Sequence, residues 1–93
     1  MMAQALSVRI SGVVQGVGYR YWTERTAQTL GLDGWVRNRR DGSVEALIAG
    51  DDAAVAQMLA AFRQGPPASD VAEIRTAPAD SPPERGFRTL PTA

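Results

Sequence analysis

The sequence has no cysteine, no histidine and no lysine among its 93 residues. Without cysteine, a disulfide framework, a thiolate nucleophile and a zinc finger are all excluded. Without histidine, Ser–His and Cys–His catalysis and histidine ligation of a metal are excluded as well. Any chemistry must therefore use arginines, carboxylates, amides, hydroxyls or the main chain.

Net charge and long apolar runs are also missing. Ten basic residues, all arginine, balance ten acidic ones. A neutral chain is a poor candidate for bulk nucleic-acid binding, which draws its affinity from neutralising phosphates. No apolar run approaches the roughly 20 residues that span a bilayer, and residues 1–5 lack the basic and apolar regions of a signal peptide. We therefore expect a cytoplasmic protein with neither a nucleic-acid nor a membrane partner.

Length and composition predict one ordinary globular domain. The chain is 44% hydrophobic and 22% charged, which is typical of a folded domain and not of a disordered segment. A length of 93 residues allows a single domain, over residues 1–93. No large apolar stripe is left for a partner subunit, so we expect a monomer.

The hydrophobic pattern predicts the order βαββαβ followed by a short last strand. The predicted elements are a strand over 6–12, a helix over 20–30, strands over 34–38 and 43–49 joined by a turn, a helix that begins at 50–52 and ends before 65, a strand over 71–76, and an edge strand over 87–90. Two strand–helix–strand units in a small chain predict an antiparallel sheet with both helices on one face. This α+β arrangement is the ferredoxin-like sandwich.

The two predicted helices differ in how clearly their buried faces are marked. In the second helix an apolar stripe recurs at helical spacing, formed by Val55, Met58, Leu59 and Phe62. An aspartate of the pair at 51–52 is expected to cap its first turn. The first helix has a weaker inner face, formed by Thr23, Ala27 and Leu30. Its prediction rests partly on the glycine that follows it.

A glycine-rich loop precedes the first helix and ends at Arg20. Gly12, Gly16 and Gly18 allow backbone conformations that would let successive N–H groups curl around an anion. The guanidinium of Arg20 suits a bidentate grip on phosphate or carboxylate oxygens. The loop lacks the Lys-Ser/Thr of a Walker A sequence and the spacing of a Rossmann fingerprint. The alternative is a tight connection whose glycines only let the strand meet the helix.

A second polar feature lies at the end of the 34–38 strand. The carboxamide of Asn38 donates and accepts hydrogen bonds and could hold a water in one orientation. The alternative is a turn-forming asparagine. Trp35 is interpreted as a packing residue. The arginines at 37, 39 and 40 are interpreted as a solvated rim that could, with Arg20, draw an anionic substrate toward one edge.

Together these segments resemble the acylphosphatase family over residues 6–90. The first motif is Gly12-x-Val14-Gln15-Gly16-Val17-x-Tyr19-Arg20, and the second is Gly34-Trp35-Val36-Arg37-Asn38-x-x-x-Gly42-x-Val44-x-x-x-x-x-Gly50. The sequence departs from the family pattern at Tyr19, where many members have phenylalanine, and at Thr89, where an apolar residue is expected.

The resemblance implies a ferredoxin-like fold and hydrolysis of the carboxyl–phosphate bond of small acyl phosphates to carboxylate and inorganic phosphate, with no metal and no cofactor. It implies that Arg20 is the phosphate-binding catalytic arginine and that Asn38 positions the nucleophilic water. It also implies a phosphate-binding loop that ends at Arg20, whose N–H donors come from Gln15, Gly16, Val17, Gly18 and Tyr19.

The residue inventory agrees with that chemistry. Phosphoryl transfer to water from a good leaving group needs positioning and charge stabilisation more than covalent catalysis. The nearest carboxylate to Asn38 in the sequence is Asp41, and no side chain is an obvious general base. We therefore expect a substrate phosphate oxygen to accept the proton of the attacking water.

Two other functions stay open at this point. One is an anion-binding module without turnover, as in the N-terminal domain of larger hydrogenase-maturation carbamoyltransferases. The other is an RNA-binding ferredoxin-like domain. The second is disfavoured because the predicted strands lack the paired exposed aromatic residues on which bases stack.

Overall fold

A computed structural model describes residues 3–93 of the chain. Its elements are β1 (Ala3–Val13), α1 (Tyr19–Thr29), β2 (Asp33–Asn38), β3 (Val44–Asp51), α2 (Asp52–Gln64), β4 (Asp70–Pro78) and β5 (Phe87–Thr89). All seven predicted elements are present in the predicted order. The sequence expectation about residues 1–5 concerns in part Met1 and Met2, which lie outside the described residues. In the described part of the chain, neither helix is long and apolar enough to cross a membrane.

The strands form one sheet in the order β4-β1-β3-β2-β5. β1 pairs antiparallel with β3 and β4, and β2 pairs antiparallel with β3. α1 contacts β2 and β5, α2 contacts β1, β3 and β4, and the helices contact each other. The predicted ferredoxin-like sandwich is confirmed.

The prediction of a purely antiparallel sheet is wrong, because β5 pairs parallel with β2. The reason lies in the proline-rich segment after β4, which returns the chain to the first residues of β2. There the Gly34 N–H donates to the Gly86 carbonyl at 3.0 Å, and the Gly86 N–H donates to Asp33 Oδ1 at 2.7 Å. β5 therefore begins beside the start of β2 and runs in the same direction.

The core lies between the helices and the sheet. Its buried residues recur at the side-chain spacing of a strand or of a helix, according to the element. The buried side chains of the three inner strands are Val8, Ile10, Val36, Val44, Ala46 and Ile48, and those of the helices are Tyr19, Thr23, Ala27, Val55, Met58 and Phe62. Leu30 and Leu59 are half-buried and pack against this core. The prediction that an aspartate caps α2 is confirmed in position: Asp51 is its N-cap residue, although its side chain makes no capping hydrogen bond.

Candidate active site

The loop between β1 and α1 has the backbone conformation that its glycines allow. Gly16 has φ 74° and Gly18, the N-cap of α1, has φ 80°, which are left-handed values that other residues rarely adopt. Within residues 3–93, no main-chain carbonyl accepts a hydrogen bond from the N–H groups of Gly16 through Tyr21. The first N–H with such a partner is that of Trp22, which donates to the Gly18 carbonyl at 3.0 Å. A run of unpaired N–H donors therefore leads into the positive end of α1.

The residues of the two motifs meet at one cavity of about 340 Å³. Its lining residues are Gly16, Gly18, Tyr19, Arg20, Tyr21, Glu24, Asn38 and Thr89. The cavity thus joins the β1–α1 loop, the first turns of α1, the end of β2 and the end of β5. Of the predicted loop residues, Gln15 and Val17 do not line it; Val17 packs against the core instead.

The side chain of Gln15 fastens the glycine loop to the turn after β2. Its Nε2 donates to the Arg39 carbonyl at 2.7 Å and to the Ser43 carbonyl at 2.8 Å. Because Asn38 immediately precedes this turn, these two bonds fix the loop relative to Asn38. The sequence indicates only a main-chain donor at Gln15, and nothing in its pattern predicts the long-range role of the carboxamide.

Tyr19 anchors the start of α1 in the core. Its ring stacks on Phe62 of α2 with centroids 6.3 Å apart, and its hydroxyl donates to the Phe62 carbonyl at 2.8 Å. Burial raises the pKa of the Tyr19 hydroxyl well above its usual range, so the group stays protonated and able to donate. The Tyr19 hydroxyl, which a phenylalanine would lack, therefore has a hydrogen-bond acceptor. This bond holds Tyr19, and with it the start of α1 at Arg20, in place.

Arg20 is half-buried and lines the cavity without forming an ion pair. None of the ion pairs within the described residues includes it. The arginines of the predicted rim behave differently. Arg37 and Arg39 both donate to Oε1 of Glu45, at 2.8 and 3.3 Å, and Arg37 also lies over the ring of Trp35 at 4.7 Å. Two of the three rim arginines are thus engaged outside the cavity.

Asn38 ends β2 with its main chain held by hydrogen bonds, whereas its side chain forms none within residues 3–93. The Ala93 N–H donates to the Asn38 carbonyl at 3.0 Å, and the Leu90 N–H donates to the Val36 carbonyl at 2.8 Å, so the segment after β5 continues along β2. Asn38 Oδ1 is buried and has no hydrogen-bond partner among the described residues. An unpaired buried acceptor costs about 1–3 kcal/mol.

The carboxylate that lines the cavity is Glu24, and it was missed from the sequence. Asp41, the nearest carboxylate along the chain, is instead occupied by Ser43, whose hydroxyl and N–H donate to its Oδ1 at 2.6 and 2.9 Å. These two bonds hold the pKa of Asp41 below its usual range. The spacing of Arg20 and Glu24, four residues apart on one helix, puts both on one face and is the signal that could have found Glu24.

Metal-ligating side chains do not gather at the cavity or elsewhere in the described part of the chain: no three acidic residues between positions 3 and 93 are grouped as a metal site would require. The cavity instead offers main-chain N–H groups, one guanidinium and one carboxamide, which are groups that bind and orient an anion and a water. The carboxylate of Glu24 is the one negative group among its lining residues.

Comparisons with known proteins agree with this arrangement. The family model for acylphosphatase matches residues 6–89. The acylphosphatase of Rhodospirillum rubrum is 55% identical over 89 residues, covering 96% of this chain and 98% of that protein. The crystal structure of the acylphosphatase from Bacillus subtilis superposes with a TM-score of 0.88 at 34% identity, covering 96% of this chain and 99% of that one.

The same fold also occurs inside a larger protein. A full-length HypF structure, solved in a phosphate- and nucleotide-bound form, matches with a TM-score of 0.89 at 25% identity, over 98% of this chain but only 12% of that one. The relatives of similar length share most of their residues with this chain and are acylphosphatases, which indicates an enzyme with that activity. The chain belongs to the acylphosphatase family.

Proposed function

We propose that Arg20 and Asn38 carry out the hydrolysis of the carboxyl–phosphate bond of small acyl phosphates, with no metal and no cofactor. The observation that carries this proposal is their meeting at one cavity beside the glycine loop, with Arg20 unpaired. The products are a carboxylate and inorganic phosphate.

The phosphoryl group binds against the glycine loop. The N–H groups of Gly16, Gly18 and Tyr19, which line the cavity, and the start of α1 supply donors and partial positive charge. Arg20 adds a planar fork that can hold two phosphate oxygens at once. Because these groups are fixed before substrate arrives, they stabilise the charge that spreads over the equatorial oxygens in the transition state. Gln15 acts as a positioning residue through its two bonds to the β2–β3 turn.

Asn38 orients the attacking water. Asn38 lines the cavity, and a carboxamide that donates and accepts hydrogen bonds can hold that water with a lone pair directed at phosphorus. The carboxylate is a good leaving group, so its departure needs no strong general acid. The proton of the water passes to a phosphate oxygen of the substrate, and the P–O bond to the acyl group breaks as the new P–O bond forms.

Kinetics of Asn38→Ala test this assignment. A group that orients water acts on kcat, so we expect kcat for benzoyl phosphate to fall by about a hundredfold or more with KM and inhibition by inorganic phosphate close to wild type. A variant that keeps kcat and loses only affinity contradicts the assigned role. A folded wild-type protein that binds phosphate without hydrolysing any acyl phosphate would favour the anion-binding module, whose fold is shared with a segment of HypF.

The cytoplasmic location, the single domain over residues 1–93 and the monomeric state stay predictions from the sequence. Light scattering coupled to size-exclusion chromatography tests the monomer directly. A mass of two chains at micromolar protein concentration would contradict it.

A further inference from the structure

The cavity has an outer wall that the proposed reaction does not use. At about 340 Å³, it lies at the lower end of the roughly 300–1,000 Å³ of small-molecule sites, so it holds more than a phosphoryl group. Arg20, Asn38 and the glycine loop account for the phosphate and the water. The remaining wall, formed by Tyr21, Glu24 and Thr89, is where the acyl group has to lie.

Tyr21 is an exposed aromatic residue that the core does not require. It is 62% exposed, and Val13 is the other exposed large hydrophobic residue within residues 3–93. Its ring is nevertheless held in place: Arg25 Nη1 donates to its hydroxyl at 2.9 Å, and the guanidinium lies 5.6 Å from the ring centroid. An exposed tyrosine offers a flat contact surface at little cost in side-chain entropy, because only two torsions have to be fixed.

Glu24 brings a negative charge to a cavity built for an anion. It forms no ion pair within the described residues, although it lies one helical turn from Arg20. A carboxylate there does not help to bind phosphate. It does repel any acyl group that carries a second negative charge, since like charges a few ångströms apart destabilise each other.

We propose that Tyr21 and Glu24 form the acyl-group subsite and select uncharged, aromatic acyl phosphates over small aliphatic and anionic ones. The inference rests on the proposed function. Helical geometry supports this subsite independently, because residues three or four positions apart lie on one side of a helix. Glu24 is three residues after Tyr21 and four after Arg20, so it is a neighbour of both on the surface of α1. The substrate would thus lie across the start of α1, with its phosphoryl group at the loop and its acyl group against the tyrosine ring.

The test compares kcat/KM for three substrates: benzoyl phosphate, acetyl phosphate and 4-carboxybenzoyl phosphate. Tyr21→Ala is expected to lower the benzoyl-to-acetyl ratio by about tenfold, whereas Tyr21→Phe, which keeps the ring, changes it by about twofold or less. Glu24→Gln is expected to raise the 4-carboxybenzoyl-to-benzoyl ratio by about fivefold. Glu73→Gln, the same charge change on β4 away from the cavity, should leave all ratios at the wild-type value.

The outcomes separate this inference from the function on which it rests. If the wild type hydrolyses acyl phosphates and both Tyr21→Ala and Glu24→Gln keep its ratios, the acyl subsite is refuted and the proposed function stands. If Glu24→Gln loses turnover of all three substrates equally, Glu24 is a proton acceptor and its selective role is refuted. If folded wild type hydrolyses none of them, both proposals fail. The inhibition constant of inorganic phosphate, which has no acyl group to contact the ring, should not change in Tyr21→Ala.

Discussion

Replacing Gln15 with alanine removes both hydrogen bonds that join the glycine loop to the β2–β3 turn. Neither carbonyl is left unpaired, because Arg39 O still accepts from the Gly42 N–H at 3.1 Å and Ser43 O from the Arg39 N–H at 2.8 Å. The loss is therefore the net value of two hydrogen bonds, about 2 kcal/mol in the free energy of unfolding, without an added desolvation penalty. For a domain of this size, that lowers Tm by roughly 10 °C.

The same substitution should also reduce activity, because the loop is no longer fixed relative to Asn38. Displacements of about 1 Å in a site of this kind cost up to about a hundredfold in rate, so kcat/KM should fall by at least about tenfold. Thermal unfolding, followed by circular dichroism, measures the loss of stability. Phosphate release, assayed below the Tm of the variant, measures the loss of activity separately. Gln57→Ala, on the exposed face of α2, is the matched control. A Gln15→Ala protein within about 2 °C of wild type and with unchanged kcat/KM would refute the reasoning.

Three further predictions concern other parts of the chain. Arg20→Lys should recover only part of the kcat/KM and phosphate affinity lost in Arg20→Ala, because an ammonium cannot make the planar bidentate contact; full recovery in steady-state assays would contradict this. Gly34→Ala should lower Tm severely, because the added Cβ would clash with the Leu47 carbonyl of the neighbouring strand and because Gly34 has a φ of 135°, which other residues rarely adopt. An unfolding curve that does not shift would contradict the pairing of β2 with β3. Asp41→Ala should destabilise the protein above about pH 4 but not well below it. The hydrogen bonds from Ser43 lower the pKa of the Asp41 carboxyl in the folded protein from its ordinary value of 3.8. The stability that Asp41 contributes is therefore present above the pKa of the unfolded chain and is lost as the pH falls through the pKa of the folded protein. Unfolding curves of both proteins from pH 2.5 to 7 check this, and a Tm difference that grows toward low pH would have the wrong sign.

The elements and the buried faces could be predicted because their determinants are local. Alternation of Val8 and Ile10 with polar neighbours, and the helical spacing of Val55, Met58 and Phe62, both follow from the geometry of one element. The direction of β5 could not be obtained in this way. The direction of β5 depends on the position of Gly86 at the end of the proline-rich segment. Hydrogen bonds to Asp33 and Gly34, some fifty residues earlier in the chain, fix that position.

The candidate site likewise has residues that the sequence predicts and residues that it does not. Arg20 and Asn38 are recognisable from their motifs, and the conformation of Gly16 and Gly18 follows from residue type. The contribution of Gln15 was not predictable, because its acceptors are carbonyls 24 and 28 residues away. Glu24 was overlooked for another reason: proximity in sequence to Asn38 favoured Asp41, whereas helical periodicity from Arg20 indicates the carboxylate that lines the cavity.

Whether Arg20 binds and activates the phosphoryl group without a metal can be decided by phosphate release from benzoyl phosphate in excess EDTA, with wild type and Arg20→Ala side by side. We expect rapid turnover by wild type that EDTA does not reduce and that Arg20→Ala loses while remaining folded. Wild-type activity that EDTA abolishes, or an Arg20→Ala protein that turns over at the wild-type rate, would contradict it.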